Sequence, residues 1–198
     1  MRAAVRDWPR ASIGLALACL VLPALPATAV AALAWEPEAI RAGQWWRLWS
    51  GHLVHFGFQH ALIDAIVLYA GASLLERELG TRCLLRQLLL AAPLVSLALF
   101  SVPGLVEYRG ASGLAATTTL AAGIALWPLA GRWRPALLAG GLGWAGFSVM
   151  QLVQPGWSAA GLPAGVAVAW QAHLFGAACA LLPGWRGAMP DAIRSPNT

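Results

Sequence analysis

The sequence contains no lysine, and charged residues of either sign are scarce. All thirteen basic residues are arginine, only eight residues are acidic, and charged residues make up 11% of the 198-residue chain. With 59% hydrophobic residues and a mean hydropathy of +0.66, the chain lies outside the range of ordinary soluble domains. The composition therefore indicates an integral membrane protein. The arginines lie in short segments between apolar runs, which is typical of an orientation signal and argues against nucleic-acid binding.

Cysteine is also scarce, and long polar segments are absent. Cys19, Cys83 and Cys179 are isolated within apolar segments, which argues against the close pairs of metal sites and redox motifs. A membrane-spanning helix needs about 20 apolar residues. The chain divides into six such runs, at residues 12–34, 52–75, 83–101, 112–130, 135–153 and 164–183. The sequence thus predicts one all-α, six-transmembrane-helix domain over residues 1–198.

The first run has two interpretations. The basic segment "MRAAVRDWPR" and the small residues of "PATAVAA" are features of a cleaved signal peptide. Its apolar length, from Ala11 to Trp35, exceeds the usual signal-peptide core of about 7–15 residues. We therefore expect a retained helix. With a cytoplasmic N-terminus, ten arginines would lie inside and three outside, which predicts that both termini are cytoplasmic.

Ionisable residues inside apolar runs are costly and indicate function. His52, His55, His60 and Asp64 lie at the head of the second run, and His173 lies in the middle of the sixth. On a straight helix, His60 and Asp64 share a face, whereas His55 points about 140° away from His60. One metal ion could not bind all three histidines. We therefore expect neither a metal site nor a haem site, and no cofactor.

Ser112 lies between glycines in "YRGASGLAATTTLAAG", at the start of the fourth run. A hydroxyl there is either a small packing residue or a nucleophile. Gly110 and Gly113 permit close backbone approach, and a helix N-terminus offers unpaired N–H groups to an oxyanion. His173 is the candidate base, and Gly176, one turn later, would let the two helices approach. His173 would lie about 14 Å too deep unless the fourth helix is short and sunken.

Four motifs, in this order, resemble those of the rhomboid intramembrane serine proteases over residues 44–183. "WWRLWSGHLVHF" is similar to that family's first-loop motif, "HFGFQHALID" to its spaced histidines, "GASG" to its nucleophile motif and "AHLFG" to its sixth-helix motif. The resemblance implies a six-helix core and a Ser–His dyad without a third acid. It also implies that substrates are membrane proteins, cleaved near the outer end of a transmembrane segment.

The resemblance also implies roles for individual residues. Ser112 would be the nucleophile and His173 its general base, while the backbone N–H of Ser112 and the side chain of His60 would form the oxyanion hole. His55 would have a structural role. Where the family usually has asparagine, the chain has Asp64, which we expect either to donate as a neutral acid near the oxyanion or, when ionised, to orient His60.

The chain departs from the family at two further positions. Glu78 stands where an arginine is expected between Glu76 and Gly80, and Ala116 stands where an aromatic residue could stack on the histidine. The short length, "HALID" and "YRGASG" are more similar to the rhombosortase branch. That branch implies substrates with C-terminal Gly-Gly sorting tails, in the bacterial inner membrane. Two alternatives remain, an inactive rhomboid-like protein that binds membrane clients and a small-solute transporter. The presence of Ser112 and His173 disfavours the first, and the absence of paired half-helix repeats disfavours the second.

Overall fold

The computed structural model describes residues 8–154, 162, 166 and 169–182. These residues form helices joined by short 3-10 segments, and within them the only strand-like feature is one isolated bridge between Trp35 and Tyr108. The α-helices are α1 (Arg10–Val21), α2 (Ala27–Leu33), α3 (Pro37–Arg41), α4 (Arg47–Ser50), α5 (Phe58–Leu79), α6 (Thr81–Leu99), α7 (Ser112–Leu126), α8 (Arg134–Val153) and α9 (Trp170–Cys179).

Four helical stretches are long and apolar enough to cross a membrane. They are Phe58–Leu79, Thr81–Leu99, Ser112–Leu129 and Gly131–Val153, and they correspond to the second to fifth predicted runs. The protein is therefore a multi-pass integral membrane protein. Most of the sixth run before residue 169 lies outside the described residues, and α9 is the helix described within that run. The count of six spanning helices stays a prediction.

The prediction of one continuous helix over residues 12–34 is wrong. Helix α1 ends at Val21, a 3-10 turn containing Pro23 follows, and α2 begins directly after Pro26. Proline lacks a backbone N–H and its ring clashes with the preceding helical turn, so it ends one helix but is tolerated at the start of another. The first apolar run is consequently broken into two short helices.

The N-terminus of α1 is bound to the end of α5 through one carboxylate. Glu76 accepts hydrogen bonds from the backbone N–H of Ala11 at 3.1 Å and of Ser12 at 2.8 Å. The hydroxyls of Ser12 and Thr81 donate to the same carboxylate at 2.6 and 2.8 Å. A negative side chain at this position satisfies N–H groups that have no acceptor within the helix and complements the helix dipole.

Helix α5 begins at residue 58 rather than at residue 52. The residues before it form a loop that ends at Gly57, whose backbone is extended. His52 and His55 therefore lie in this loop and not on the helix. The predicted 140° separation of His55 and His60 is wrong, because their ring centroids lie only 5.0 Å apart.

Helix α7 lies between α5 and α9, and glycines bring these backbones together. A Cβ atom added to Gly71 of α5 would lie 2.6 Å from the backbone nitrogen of Thr119. A Cβ atom on Gly176 of α9 would overlap the backbone of Gly113 in α7. Small residues permit such close approach between membrane helices. Helix α8 differs, because only 11% of its membrane-spanning window is buried, against 44–50% for the other three spans.

Candidate active site

Ser112 is the first residue of α7, and the loop before it folds onto the head of α5. Gly110 has φ +142°, a conformation that favours glycine. A Cβ atom on Gly110 would lie 3.0 Å from Nε2 of His60 and 3.1 Å from Oδ2 of Asp64. Both the backbone angle and the lack of a side chain at Gly110 are therefore needed to bring Ser112 beside the polar residues of α5.

The loop before Ser112 is held by hydrogen bonds within the protein. Tyr108 and Trp35 exchange backbone hydrogen bonds of 3.0 and 3.1 Å, and the backbone N–H of Gly110 donates to the carbonyl of Gly51 at 3.1 Å. The hydroxyl of Tyr108 donates to the carbonyl of Gly110 at 2.7 Å. Burial, reinforced by the nearby Asp64 carboxyl, raises the pKa of Tyr108, so its phenol stays a neutral donor. These bonds satisfy the backbone polar groups of Tyr108 and Gly110 within the protein, as an apolar environment requires.

His173 is buried and is the fourth of the ten residues of α9. A Cβ atom on Gly113 would lie 3.0 Å from the carbonyl oxygen of Ala172, so the backbones of α7 and α9 touch at these two residues. Ser112 directly precedes Gly113, and His173 directly follows Ala172. Helix α7 ends at Leu126, and a 3-10 turn over Trp127–Leu129 follows it directly. Because Gly113 and Ala172 are in contact, Ser112 and His173 lie at the same level of the two helices.

Ser112 and His173 line the same cavity, whose volume is about 300 Å³. His60 and Asp64 of α5 line it as well. The structure therefore brings together the residues that the sequence predicts as nucleophile, base and oxyanion site. Nδ1 of His173 is buried and has no hydrogen-bond partner among the described residues. Within that part of the chain, His173 has no carboxylate partner of the kind found in a catalytic triad.

An aromatic ring contacts His173, although it does not come from position 116, where the chain has alanine. The ring of Phe147, in α8, has its centroid 6.2 Å from that of His173, at an interplanar angle of 31°. Phe147 is not among the site residues predicted from the sequence. Its signal was the spacing of Trp144, Phe147 and Gln151, which share one face of α8 and line the cavity. The described part of α8 therefore forms one wall of the cavity.

Asp64 is buried between two histidines. Its Oδ2 atom lies 3.2 Å from Nε2 of His55 and 3.4 Å from Nε2 of His60. The backbone N–H of Ala111, next to Ser112, is 3.3 Å from Nε2 of His55. His55 thus connects the serine loop to Asp64 from behind the cavity. Within the described residues, no three His, Cys, Asp or Glu side chains are arranged to hold a metal ion.

His52 does not line the cavity and contacts α6 instead. Its Nε2 atom lies 3.0 Å from the carbonyl oxygen of Ala92 and 3.0 Å from the hydroxyl of Ser96. Because a carbonyl only accepts, Nε2 carries the hydrogen and donates it. Burial lowers the pKa of His52 to about 4, so the ring is neutral near pH 7. This histidine fixes the loop before α5 rather than taking part in the candidate site.

These observations define a class of protein. It is a helical, multi-pass membrane protein in which a serine at a helix start and a histidine on the facing helix share a cavity. Residues 42–189 match the family model described as the Rhomboid domain, and the chain belongs to the rhomboid family. Members of this family are typically intramembrane serine proteases that act on membrane-protein substrates. A comparison with curated proteins finds no match. The predicted family is confirmed, whereas the rhombosortase branch is not distinguished.

Proposed function

We propose that this protein is an intramembrane serine protease in which Ser112 is the nucleophile and His173 the general base. The observation that carries the proposal is that both side chains line one cavity, at the point where α7 and α9 are in backbone contact. A half-buried serine and a buried histidine beside such a contact are suited to proton transfer. Membership in the rhomboid family supports the same chemistry.

The bond-making and proton-transfer steps of the proposed reaction involve these two groups and water. Oγ of Ser112 attacks the carbonyl carbon of a substrate peptide bond while His173 takes the hydroxyl proton. The resulting oxyanion collapses, the C–N bond breaks, and His173 gives the proton to the leaving amine. Water, deprotonated by His173, then attacks the acyl ester, and the proton returns to Oγ of Ser112. No cofactor takes part.

The oxyanion would be stabilised by donors at the start of α7 and the head of α5. The backbone N–H of Ser112 is one of the donors for which α7 has no internal acceptor. His60 is the proposed second donor. A neutral imidazole carries one N–H, so an ionised Asp64 would take the hydrogen of His60, whereas a neutral Asp64 would donate to it. The proton on Asp64 therefore decides whether His60 can act on the oxyanion.

We infer a bacterial inner-membrane location, cytoplasmic termini and substrates that are membrane-anchored proteins. The arginine bias supports the orientation. In a variant lacking the native cysteines, Val106→Cys should react with an impermeant thiol reagent from the extracytoplasmic side, and Arg132→Cys only from the cytoplasmic side. The reverse pattern would overturn the orientation. Rhombosortase-type specificity predicts faster cleavage of single-span peptides that carry Gly-Gly before the span than of peptides with Leu-Leu there.

A fluorophosphonate probe tests the central proposal. In isolated membranes, the probe should label the wild-type protein and should not label Ser112→Ala, which removes the nucleophile while leaving the helix start intact. Labelling of His173→Ala should be far slower. Absence of labelling in a folded wild-type protein would overturn the protease proposal and favour an inactive rhomboid-like protein that binds membrane clients.

A further inference from the structure

Gln151 is a buried polar residue that the proposed mechanism does not use. It lies near the end of α8, is only 3% exposed, and lines the cavity that contains Ser112 and His173. Its side-chain oxygen Oε1 has no hydrogen-bond partner among the described residues. A buried amide oxygen without a donor is unfavourable. An unpaired acceptor atom beside a cavity indicates that its hydrogen-bond donor comes from a group other than the described residues.

The placement of Gln151 relates it to the reacting groups. Phe147 lies one turn earlier on the same face of α8 and contacts the ring of His173. Gln151 therefore stands one helical turn from a residue that touches the proposed base. Its neighbour Leu152 is exposed on another face of the helix.

Cleavage of a transmembrane substrate creates a need for such an amide. A carbonyl within a helix is hydrogen-bonded and shielded, so the substrate helix must open before Ser112 can attack. Opening frees backbone N–H and C=O groups in surroundings with little water, where each unpaired group is costly. A glutamine side chain can accept a hydrogen bond from a freed N–H and donate one to a freed carbonyl.

We propose that Gln151 is a substrate-binding residue that pairs with the opened backbone of the substrate beside the scissile bond. The inference rests on the proposed protease function and adds a residue on α8 to it. Oε1 accepts a hydrogen bond from a substrate N–H, and the amide group can donate to a neighbouring carbonyl. Because the contact is to main-chain atoms, it does not select particular substrate side chains.

The first test compares Gln151→Leu with wild type and with the control Leu152→Ala. The substrate is a synthetic single-span peptide with a Leu/Ala segment, small residues near its outer end and a fluorophore–quencher pair. We expect kcat/KM to fall about tenfold in Gln151→Leu, as for loss of a buried hydrogen bond, and to stay unchanged in the control. Labelling of Ser112 by a small fluorophosphonate should stay at the wild-type rate in both variants, since the probe has no peptide backbone.

The second test replaces single substrate amides by esters, which removes one N–H at a time. At one position near the scissile bond, the ester should slow cleavage by wild type about tenfold and leave the rate of Gln151→Leu unchanged. The proposal fails if Gln151→Leu cleaves at the wild-type rate, or if every ester slows both enzymes equally. Failure of the proposed protease function would give a different result. The cleavage rates of Ser112→Ala and wild type would then be the same, and the probe would label neither protein.

Discussion

Two regions of the molecule surround the cavity, and they are packed very differently. Helices α5, α7 and α9 touch through glycines, and a Cβ atom on Gly176 would overlap the backbone of α7. In α8, a Cβ atom on Gly140, Gly143 or Gly146 would meet no atom of the described residues within 4 Å. The same residue type therefore permits close contact in one region and leaves open space in the other.

This difference separates two tasks that an enzyme site must perform. The proposed reacting groups lie on the tightly packed helices, where their relative positions are fixed by backbone contacts. The side chains of α8 complete the cavity from a helix that packs little against the other described helices. Chemistry that depends on positions within a fraction of an ångström belongs on the first region. Contacts with an incoming substrate can be made by the second region, α8.

The largest effect is expected for the residues at the centre of the packed region. Ser112→Ala, His173→Ala and the double variant should each lose more than about a thousandfold in peptide cleavage, because a nucleophile and its base act as one unit. The losses should not add in the double variant. If His173→Ala kept near-normal cleavage while Ser112→Ala abolished it, another base would have to be found.

A pair of glycine substitutions compares the two regions directly. Gly176→Ala places a Cβ atom against the backbone of Gly113, so we expect α7 and α9 to separate, with a loss of roughly 1–3 kcal/mol or more in stability. Gly146→Ala should be neutral or stabilise α8 by up to about 1 kcal/mol. Thermal unfolding in detergent measures both. Equal effects of the two substitutions would contradict the described packing.

Substitutions of Asp64 distinguish between the two proposed roles of that residue. Asp64→Asn should retain most activity if Asp64 acts as a neutral donor, and lose about ten- to a hundredfold if an ionised carboxylate orients His60. Asp64→Leu removes both roles and should be slow in either case. The measurement is the cleavage rate of each variant, compared at equal amounts of protein whose Ser112 the fluorophosphonate probe labels. Wild-type cleavage by Asp64→Leu would show that Asp64 is only a structural polar contact.

The smallest effect is expected for the ring that α8 places against His173. Phe147→Leu keeps apolar volume but removes the aromatic contact, worth about 0.5–1.5 kcal/mol, so kcat should fall roughly two- to tenfold. Leu142→Ala, at an exposed position of the same helix, is the matched control. The rate of fluorophosphonate labelling at Ser112 should fall in parallel with kcat for Phe147→Leu. An unchanged labelling rate would mean that the ring does not position His173.

The four long spans could be predicted from hydropathy because each is a continuous apolar stretch about as long as the membrane is thick. The candidate site could be predicted as a set of residues, since an ionisable or nucleophilic group within an apolar run stands out. The break after α1 was visible in principle, because Pro23 and Pro26 both lie within the first run. Hydropathy alone passes over such a break, since proline is not charged.

Other features could not be predicted, because they depend on how distant segments meet. The proximity of His55 and His60 follows from a loop that turns back onto the helix, and a helical projection cannot represent it. The contact of Phe147 with His173 joins two helices with no direct sequence relation. Local patterns identify polar groups inside the membrane, whereas their partners are set by tertiary packing.

The carboxylate of Glu76 also sets an order of assembly. Ala11 and Glu76 are 65 residues apart, and the chain is made from its N-terminus. When α1 leaves the ribosome, the acceptor for its first N–H groups has not yet been synthesised. We therefore expect α1 to settle against α5 only after the second half of α5 has entered the membrane. Crosslinking between one cysteine in α1 and one in α5, at positions that leave Ser12 and Glu76 intact, in stalled nascent chains of increasing length would time this step.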